Sequence, residues 1–257
     1  MSAFLSSIDP IKLWLGVFIV TGVIAGIGTG FFKARKIQPK GFKWKTFRDE
    51  MLFAIITLAF SGALLAGAAG WMKNAGIITY HHGPVAWWVI ALEYALYFIT
   101  FDTWFYWLHR WMHKEPVYSW VHELHHRSNS PNMLTTFSVH PFESWINGSW
   151  GFIFMALLTV HQQTALLIGV TAPLMGLYVH SGYEFFPRWW HKSWATKWFI
   201  TTTFHDQHHK YFNYNFGGYT PVWDYICGTV RKNYEDDFVK LKDRRREDVQ
   251  PAAVPAE

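Results

Sequence analysis

The sequence predicts an all-α integral membrane protein with four to five transmembrane helices and a helical, histidine-rich cap on the cytoplasmic side. Three observations lead there. Charged residues make up only 16% of the 257 residues and aromatic residues 19%, with 16 Trp, whereas soluble domains average ~25% charged. Several apolar runs approach or exceed the ~20 residues needed to cross ~30 Å of hydrocarbon. The 14 histidines concentrate at the ends of those runs and beyond them. A disordered chain, a collagen-like chain and an ordinary soluble enzyme are excluded. The single cysteine, Cys227, excludes a disulfide framework and an all-cysteine metal site within one chain.

Each predicted span rests on its own composition. Ile11 to Phe32 is apolar except for Lys12, and Met51 to Trp71 carries no charge. Val85 to Leu108 contains Glu93 and Asp102, carboxylates that are costly to ionise in lipid; nothing in the sequence pairs Glu93. Ile146 to Val160 and Thr164 to Val179 are shorter, and the polar His161-Gln162-Gln163 between them predicts a tight helical hairpin through or into the bilayer. Gly22, Gly26 and Gly30 line one side of the first run, where a neighbouring helix can approach closely. Gly26, Gly28 and Gly30 do not form a dinucleotide loop, because position 31 is Phe and no strand precedes them. No signal peptide is expected, for want of a basic n-region and a small-residue cleavage site.

Basic residues set the orientation. Lys33, Arg35, Lys36, Lys40, Lys43, Lys45 and Arg48 crowd the first loop and more follow between Arg231 and Arg246, while the loop from Met72 to Pro84 has only Lys73. The positive-inside bias places the first loop and the C-terminal half in the cytoplasm. The net charge of +5 is then a topology signal, and no nucleic-acid partner is expected. The chain divides into N-terminal membrane helices with a basic loop (1–84), a catalytic domain (85–235) and a charged C-terminal tail (236–257), with 247–257 expected to be disordered.

Eight histidines form three boxes: His109-Arg-Trp-Met-His113, His122-Glu-Leu-His125-His126 and His205-Asp-Gln-His208-His209. In a helix, positions i, i+3 and i+4 share one face, so each box projects two or three imidazoles to one side. Neutral imidazole is a ligand for iron, copper and zinc, and eight of them exceed the needs of one tetrahedral metal. They suffice for two metals that each keep an open position. His180 and His140 are each either a further ligand or an orienter of one, and Glu184 lies four residues beyond His180. Asp102, two turns before His109, is placed either to fix a ligand tautomer or as a polar residue near the headgroups. His81, His82, His161 and His191 read as hydrogen-bonding surface residues.

Asp102–His113 (DTWFYWLHRWMH), His122–Ser128 (HELHHRS), Asn132 to Thr136, His140-Pro-Phe-Glu143, His180-Ser-Gly and the run from His205 to Thr229 together resemble the fatty acid hydroxylase and sterol desaturase superfamily. That run includes Asn213-Tyr-Asn-Phe-Gly217, Trp223-Asp224 and Gly228-Thr229. The resemblance covers roughly Tyr97 to Val230 in the family's order and spacing. It implies a membrane-bound oxygenase with a non-haem di-iron centre that uses O2 to hydroxylate or desaturate a lipid or sterol drawn from the bilayer. The eight box histidines match the family's iron ligands, with His180 a further one. His140, Glu184, Asp102, Asn213 and Asp224 are the other candidates at or behind the metals. Fatty acid 2-hydroxylases carry a histidine where Glu184 stands, and the His140-Pro-x-Glu143 element leans to the sterol desaturase-like branch. No flavin, nicotinamide or haem module is recognisable, so the electron donor is expected to be a separate protein, cytochrome b5- or ferredoxin-like. The compartment is a bacterial inner membrane or the endoplasmic reticulum, with the catalytic side cytoplasmic.

The chemistry agrees with that implication. An unactivated C–H bond has neither an acidic proton nor a leaving group, so its cleavage needs a redox metal and O2. Two rivals remain. His122-Glu123-Leu-His-His126 formally matches the zinc metalloprotease pattern H-E-x-x-H, with Glu as general base, which would make an intramembrane protease. A metal transporter would use the same ligands without catalysis, but transporters place ionisable groups inside the membrane helices.

Overall fold

The computed structural model describes residues 35–38 and 43–249, with side chains described as far as 243. The first predicted span, its glycine stripe and residues 250–257 lie outside the described residues. The described chain is mostly helical, and its only strands are two dipeptides.

Helix α1 spans Trp44–Asn74 and ends where Gly76 takes a left-handed φ of 70°, with the Ala75 and Gly76 amides closing back on Trp71 and Lys73 carbonyls. After strand β1, Tyr80–His81, helix α2 runs from Trp87–Met112, its start following the Gly83-Pro84 break. A π-helical turn, Tyr118–His122, leads into the single turn α3, Glu123–His126. A 3-10 turn, Met133–Thr136, is closed by a capping box between Asn132 and Thr135. Helix α4, Pro141–Leu157, has proline at its start, and the His140 imidazole caps it by accepting from the Phe142 amide. Strand β2, Val160–His161, precedes helix α5, Gln162–Val179. Helices α6, Thr202–Tyr211, α7, Val222–Cys227, and α8, Tyr234–Val249, follow.

Helices α1, α2, α4 and α5 form a bundle, with α1 against α4 and α2 against α4 and α5. The two strands pair in parallel, Tyr80 with Val160 and His81 with His161, and tie the loops at one end of the bundle. The boxes lie at the other end. The core between them is aromatic, built on Tyr97, Phe101, Phe154 and Tyr219 with Ile78, Val160 and Ile168. Of the described helices, only α1 is both long and apolar enough to cross a bilayer. Helix α2 carries Glu93 and Asp102, and α4 and α5, with 17 and 18 residues, extend about 25–27 Å.

The buried stripe of α1 is polar: Glu50, Thr57 and Ser61 beside Ala54. Its groups bond the segment that follows the second box. Thr57 donates to the Val139 carbonyl and Ser61 to that of Pro141 at 2.9 Å, while Glu50 accepts from Ser128 and Asn132. Glu93 also has partners: it accepts from the His161 amide at 3.1 Å, from His161 Nδ1 at 2.7 Å and from Thr164. It thereby clamps α2 to the start of α5 at the end away from the boxes. His161 is thus a partly exposed, hydrogen-bonding histidine with Glu93 as its partner.

The charged stretch expected as a tail is helical through Val249. Tyr234, Phe238 and Leu241 are buried, and their i, i+4, i+7 spacing supplies an apolar stripe that packs α8 on α6.

Candidate metal centre

Nine histidines form two groups, within each of which the ligand atoms lie no more than 4.8 Å apart. His109, His113, His122, His126 and His208 make the first; His125, His180, His205 and His209 make the second. The boxes do not each serve one side. Box two sends His122 and His126, one turn apart, to the first group and His125 to the second. Box three reverses this, with His208 in the first group and His205 and His209 in the second. Box one completes the first group from the end of α2, and His180, at the end of α5, completes the second. Each HxxHH motif thus bridges both groups, and His126 and His209 meet across them with ring centroids 4.8 Å apart.

In four of the nine rings the outer nitrogen shows which face is offered. His109 Nδ1 donates to the Phe216 carbonyl at 2.8 Å, His208 Nδ1 to that of Tyr214 at 2.7 Å, and His180 Nδ1 to that of Gly176 at 2.8 Å. A carbonyl can only accept, so Nδ1 carries the proton and Nε2 a lone pair. His122 Nδ1 lies 2.9 Å from Glu143 Oε1, which in its ionised form accepts from it in the same sense. The Nε2 atoms then face one another: His109 and His122 at 3.1 Å, His122 and His126 at 3.1 Å, His126 and His208 at 3.1 Å, His113 and His208 at 3.2 Å. In the second group His125 and His180 are 3.2 Å apart, and His180 and His205 2.9 Å.

Lone pairs converging at this separation repel unless a cation sits between them. Imidazole–metal bonds of ~2.0–2.1 Å put neighbouring ligand nitrogens about 2.8–3.4 Å apart between right-angled and tetrahedral geometry, so the arrangement fits a metal in each group. Burial reinforces it. His109 and His180 are held down to about 4 and His113 to about 2, chiefly by desolvation, and the remaining six lie well below the usual value for the same first cause. All nine imidazoles are therefore neutral near pH 7 and ready to ligate.

The other candidates lie outside both groups. Glu184 is fully buried, but its oxygens accept from the Thr203 amide and hydroxyl at 3.0 and 2.8 Å and from the Phe186 amide at 3.0 Å. It holds the first turn of α6, where a carboxylate also complements the helix dipole. His140 caps α4. Asp102 binds no histidine: it accepts from the Tyr219 and Thr220 amides at 3.1 and 3.0 Å. Asp224 accepts from the Phe216 and Gly217 amides at 2.8 and 2.7 Å and from Thr229 at 2.7 Å. These two aspartates shape the loop whose Phe216 and Tyr214 carbonyls orient His109 and His208, so they act on the ligands at one remove. Asn213 is exposed. Its neighbour Asn215, buried with φ 60°, bonds the Phe204 carbonyl and the Arg231 amide.

Sequence reasoning missed Glu143, Asn215, Glu50 and Gln38. Glu143 stood in a quoted motif, and only its approach to His122 reveals its role. Gln38 donates to Asp206 at 2.9 Å and to the Asn129 carbonyl at 2.9 Å, joining the first loop to boxes two and three. The orienting carbonyls leave no trace in side-chain identity. Glu123, the general base of the protease pattern, is 46% exposed and reaches Arg127 at 3.5 Å, while its flanking His122 and His126 belong to a five-histidine group.

A helical bundle that ends in two all-imidazole groups able to hold metals defines the class of histidine-box proteins. The fatty acid hydroxylase family model matches residues 94–229, and the chain belongs to that family. It is 29% identical over 143 residues to a Delta(7)-sterol 5(6)-desaturase of Leptosphaeria maculans, covering 55% of this chain and 38% of the relative. It is 31% identical over 153 residues to a methylsterol monooxygenase of Aspergillus fumigatus, covering 55% and 47%. It is 31% identical over 163 residues to cholesterol 25-hydroxylase of Homo sapiens, covering 63% and 58%. The chain thus spans about half the length of the curated relatives it matches, or less. No solved structure matches it.

Proposed function

We propose that the protein is a membrane-bound oxidoreductase that hydroxylates or desaturates a lipid, sterol-like or fatty-acyl, with O2, two non-haem irons and electrons from a separate donor protein. The observation that carries this reading is the pair of groups of five and four neutral imidazoles whose lone pairs converge at metal-ligand separations. The family and the names of its sterol-acting relatives supply the substrate class. When bound, the irons would supply the redox chemistry for activating O2 against an unactivated C–H bond.

The remaining work falls to the protein's own residues. The nine histidines would hold the metals, His109, His113, His122, His126 and His208 one, His125, His180, His205 and His209 the other. Glu143 and the carbonyls of Phe216, Tyr214 and Gly176 hold ring orientation and tautomer. Five and four donors leave coordination positions open. In hydroxylation one oxygen enters the lipid and the other leaves as water; in desaturation two hydrogens leave the lipid and both oxygens leave as water. Each consumes an electron pair and two protons from outside. The basic first loop and the basic residues after Arg231 support a cytoplasmic position for the centre, where a lipid would arrive from the bilayer and a reduced donor from water.

The test is metal content with O2 uptake. Detergent-purified protein grown with iron is expected to carry about two irons per chain, and His208→Ala is expected to lose metal. A single tightly held zinc with no O2 uptake after iron reconstitution would overturn the proposal.

A further inference from the structure

We infer that residues 189–199 and helix α7 form a lip that is embedded in the cytoplasmic leaflet, with Lys192 and Lys197 meeting anionic phospholipid headgroups. The inference rests on the membrane orientation proposed above. It concerns a segment that no apolar run marks as a span.

Depth along α2 is the first argument. Asp102 and Thr103 precede His109 by seven and six residues, which places them about 9–10 Å below it toward the bilayer, inside the predicted third span. The lip is bonded at that level. Asp102 accepts from the Tyr219 amide, the Tyr219 carbonyl accepts from the Ile200 amide at 3.2 Å, and the Ile200 carbonyl accepts from Tyr178 at 3.1 Å. Trp223 Nε1 donates to Thr103 at 3.0 Å. The chain has therefore passed the end of α5, turned, and come back beside the last turns of two membrane helices.

Exposure is the second. Trp194 is 80% exposed, Ile226 67%, Trp189 58% and Phe199 48%, although a monomeric soluble surface rarely gathers such residues into one patch. The two segments adjoin, with Trp198 and Tyr225 ring centroids 6.2 Å apart. Trp107 meets Trp223 at 5.7 Å. Through Trp107 the patch continues the exposed stripe of α2 that includes Leu92, Leu96 and Ile99, which faces lipid in this orientation.

Chemistry is the third. Tryptophan interleaved with lysine is the composition of the headgroup region. Lys197 lies over the Trp198 ring at 4.7 Å, its stem covering apolar surface while the ammonium stays at phosphate level.

Site-directed spin labels in nanodiscs test this, in a Cys227→Ala background. Labels are placed at Trp194→Cys and Ile226→Cys, with Ile99→Cys as the lipid reference and Lys114→Cys as the aqueous one. Collision with O2 relative to a water-soluble nickel chelate is expected to be several-fold higher at 194 and 226 than at 114, approaching the value at 99. Lys192→Gln with Lys197→Gln is expected to make the label at 194 shallower in phosphatidylglycerol-containing discs and to leave it unchanged in pure phosphatidylcholine. Chelate access at 194 and 226 equal to that at 114, with 99 still in lipid, would overturn the lip alone. Chelate access at 99 as well would overturn the membrane orientation beneath it.

Discussion

Removing the carboxylate of Glu143 isolates what the outer hydrogen bonds contribute to the centre. Glu143 and His122 are buried together, with Oε1 2.9 Å from Nδ1; the other oxygen, Oε2, is buried without a hydrogen-bond partner. Burial pushes the carboxyl well above the usual range, and a bound metal would favour its ionised form through its positive charge and by leaving His122, ligated at Nε2, with only an Nδ1–H to donate. In Glu143→Ala the Nδ1–H loses its acceptor, a penalty of ~1–3 kcal/mol for a buried donor, and His122 becomes free to adopt the tautomer that points Nε2–H at the metal. Loss of such a partner lowers metal affinity ~10–100-fold, or about 1.4–2.7 kcal/mol at 1.36 kcal/mol per decade. Iron release to a graded chelator series reads this directly. The expected pattern is one of the two metals becoming labile by that factor while the other is unchanged. Glu143→Gln, whose amide oxygen can still accept, is expected to recover most of the loss. Equal retention of both metals in Glu143→Ala would refute the orienting role, and equal loss of both would show that the groups do not bind independently.

Four further outcomes are expected. His125→Ala or His208→Ala should abolish metal-dependent oxidation of lipid, each removing a ligand from a different group; normal turnover and iron content in both would sink the assignment. Glu123→Gln should keep most O2-dependent activity, because that carboxylate lies on the surface with Arg127; a variant that loses peptide cleavage, from a parent showing no O2 uptake, would revive the protease. Gly217→Ala should destabilise the loop by more than about 2 kcal/mol and loosen metal, since a Cβ there would stand 2.2 Å from the Thr220 carbonyl oxygen and 2.8 Å from Asp224; unchanged chelator resistance and thermal midpoint would contradict it. Finally, chelator-stripped protein should lose stability on acidification. His109 and His180 titrate at about 4 when folded and near ~6.5 when unfolded, so the unfolded chain binds more protons between those values. Stability is then complete above ~6.5 and falls as pH drops toward 4, by on the order of 1.4 kcal/mol per pH unit for each such histidine. A denaturant midpoint that stays flat over this window would show that the imidazoles are not held neutral.

The sequence alone was enough for the helical class, the three boxes and the eight imidazoles that go with His180. Helical spacing and apolar runs are local, and repeated HxxHH leaves few chemical readings. It did not determine how those imidazoles divide. Whether His122 and His126 join His208 or His125 depends on the angle at which a short helix after a π-helical turn meets α6, and that is set by packing across more than 80 residues of chain. The outer ring of partners was hidden for the same reason. Asp102 looked like a tautomer-fixing carboxylate from its place two turns before His109, yet its oxygens are taken by the 219–220 amides. His109 is oriented instead by the Phe216 carbonyl, which Asp224 fixes from the next helix. Glu184, read beside the metals from its spacing to His180, caps α6 because the chain bends at Gly182 (φ 76°) before reaching it. Backbone groups carry no identity in a sequence, and a carboxylate's partner is decided by which amides the fold leaves unpaired beside it. Those are tertiary facts, and they govern how tightly each ligand is held.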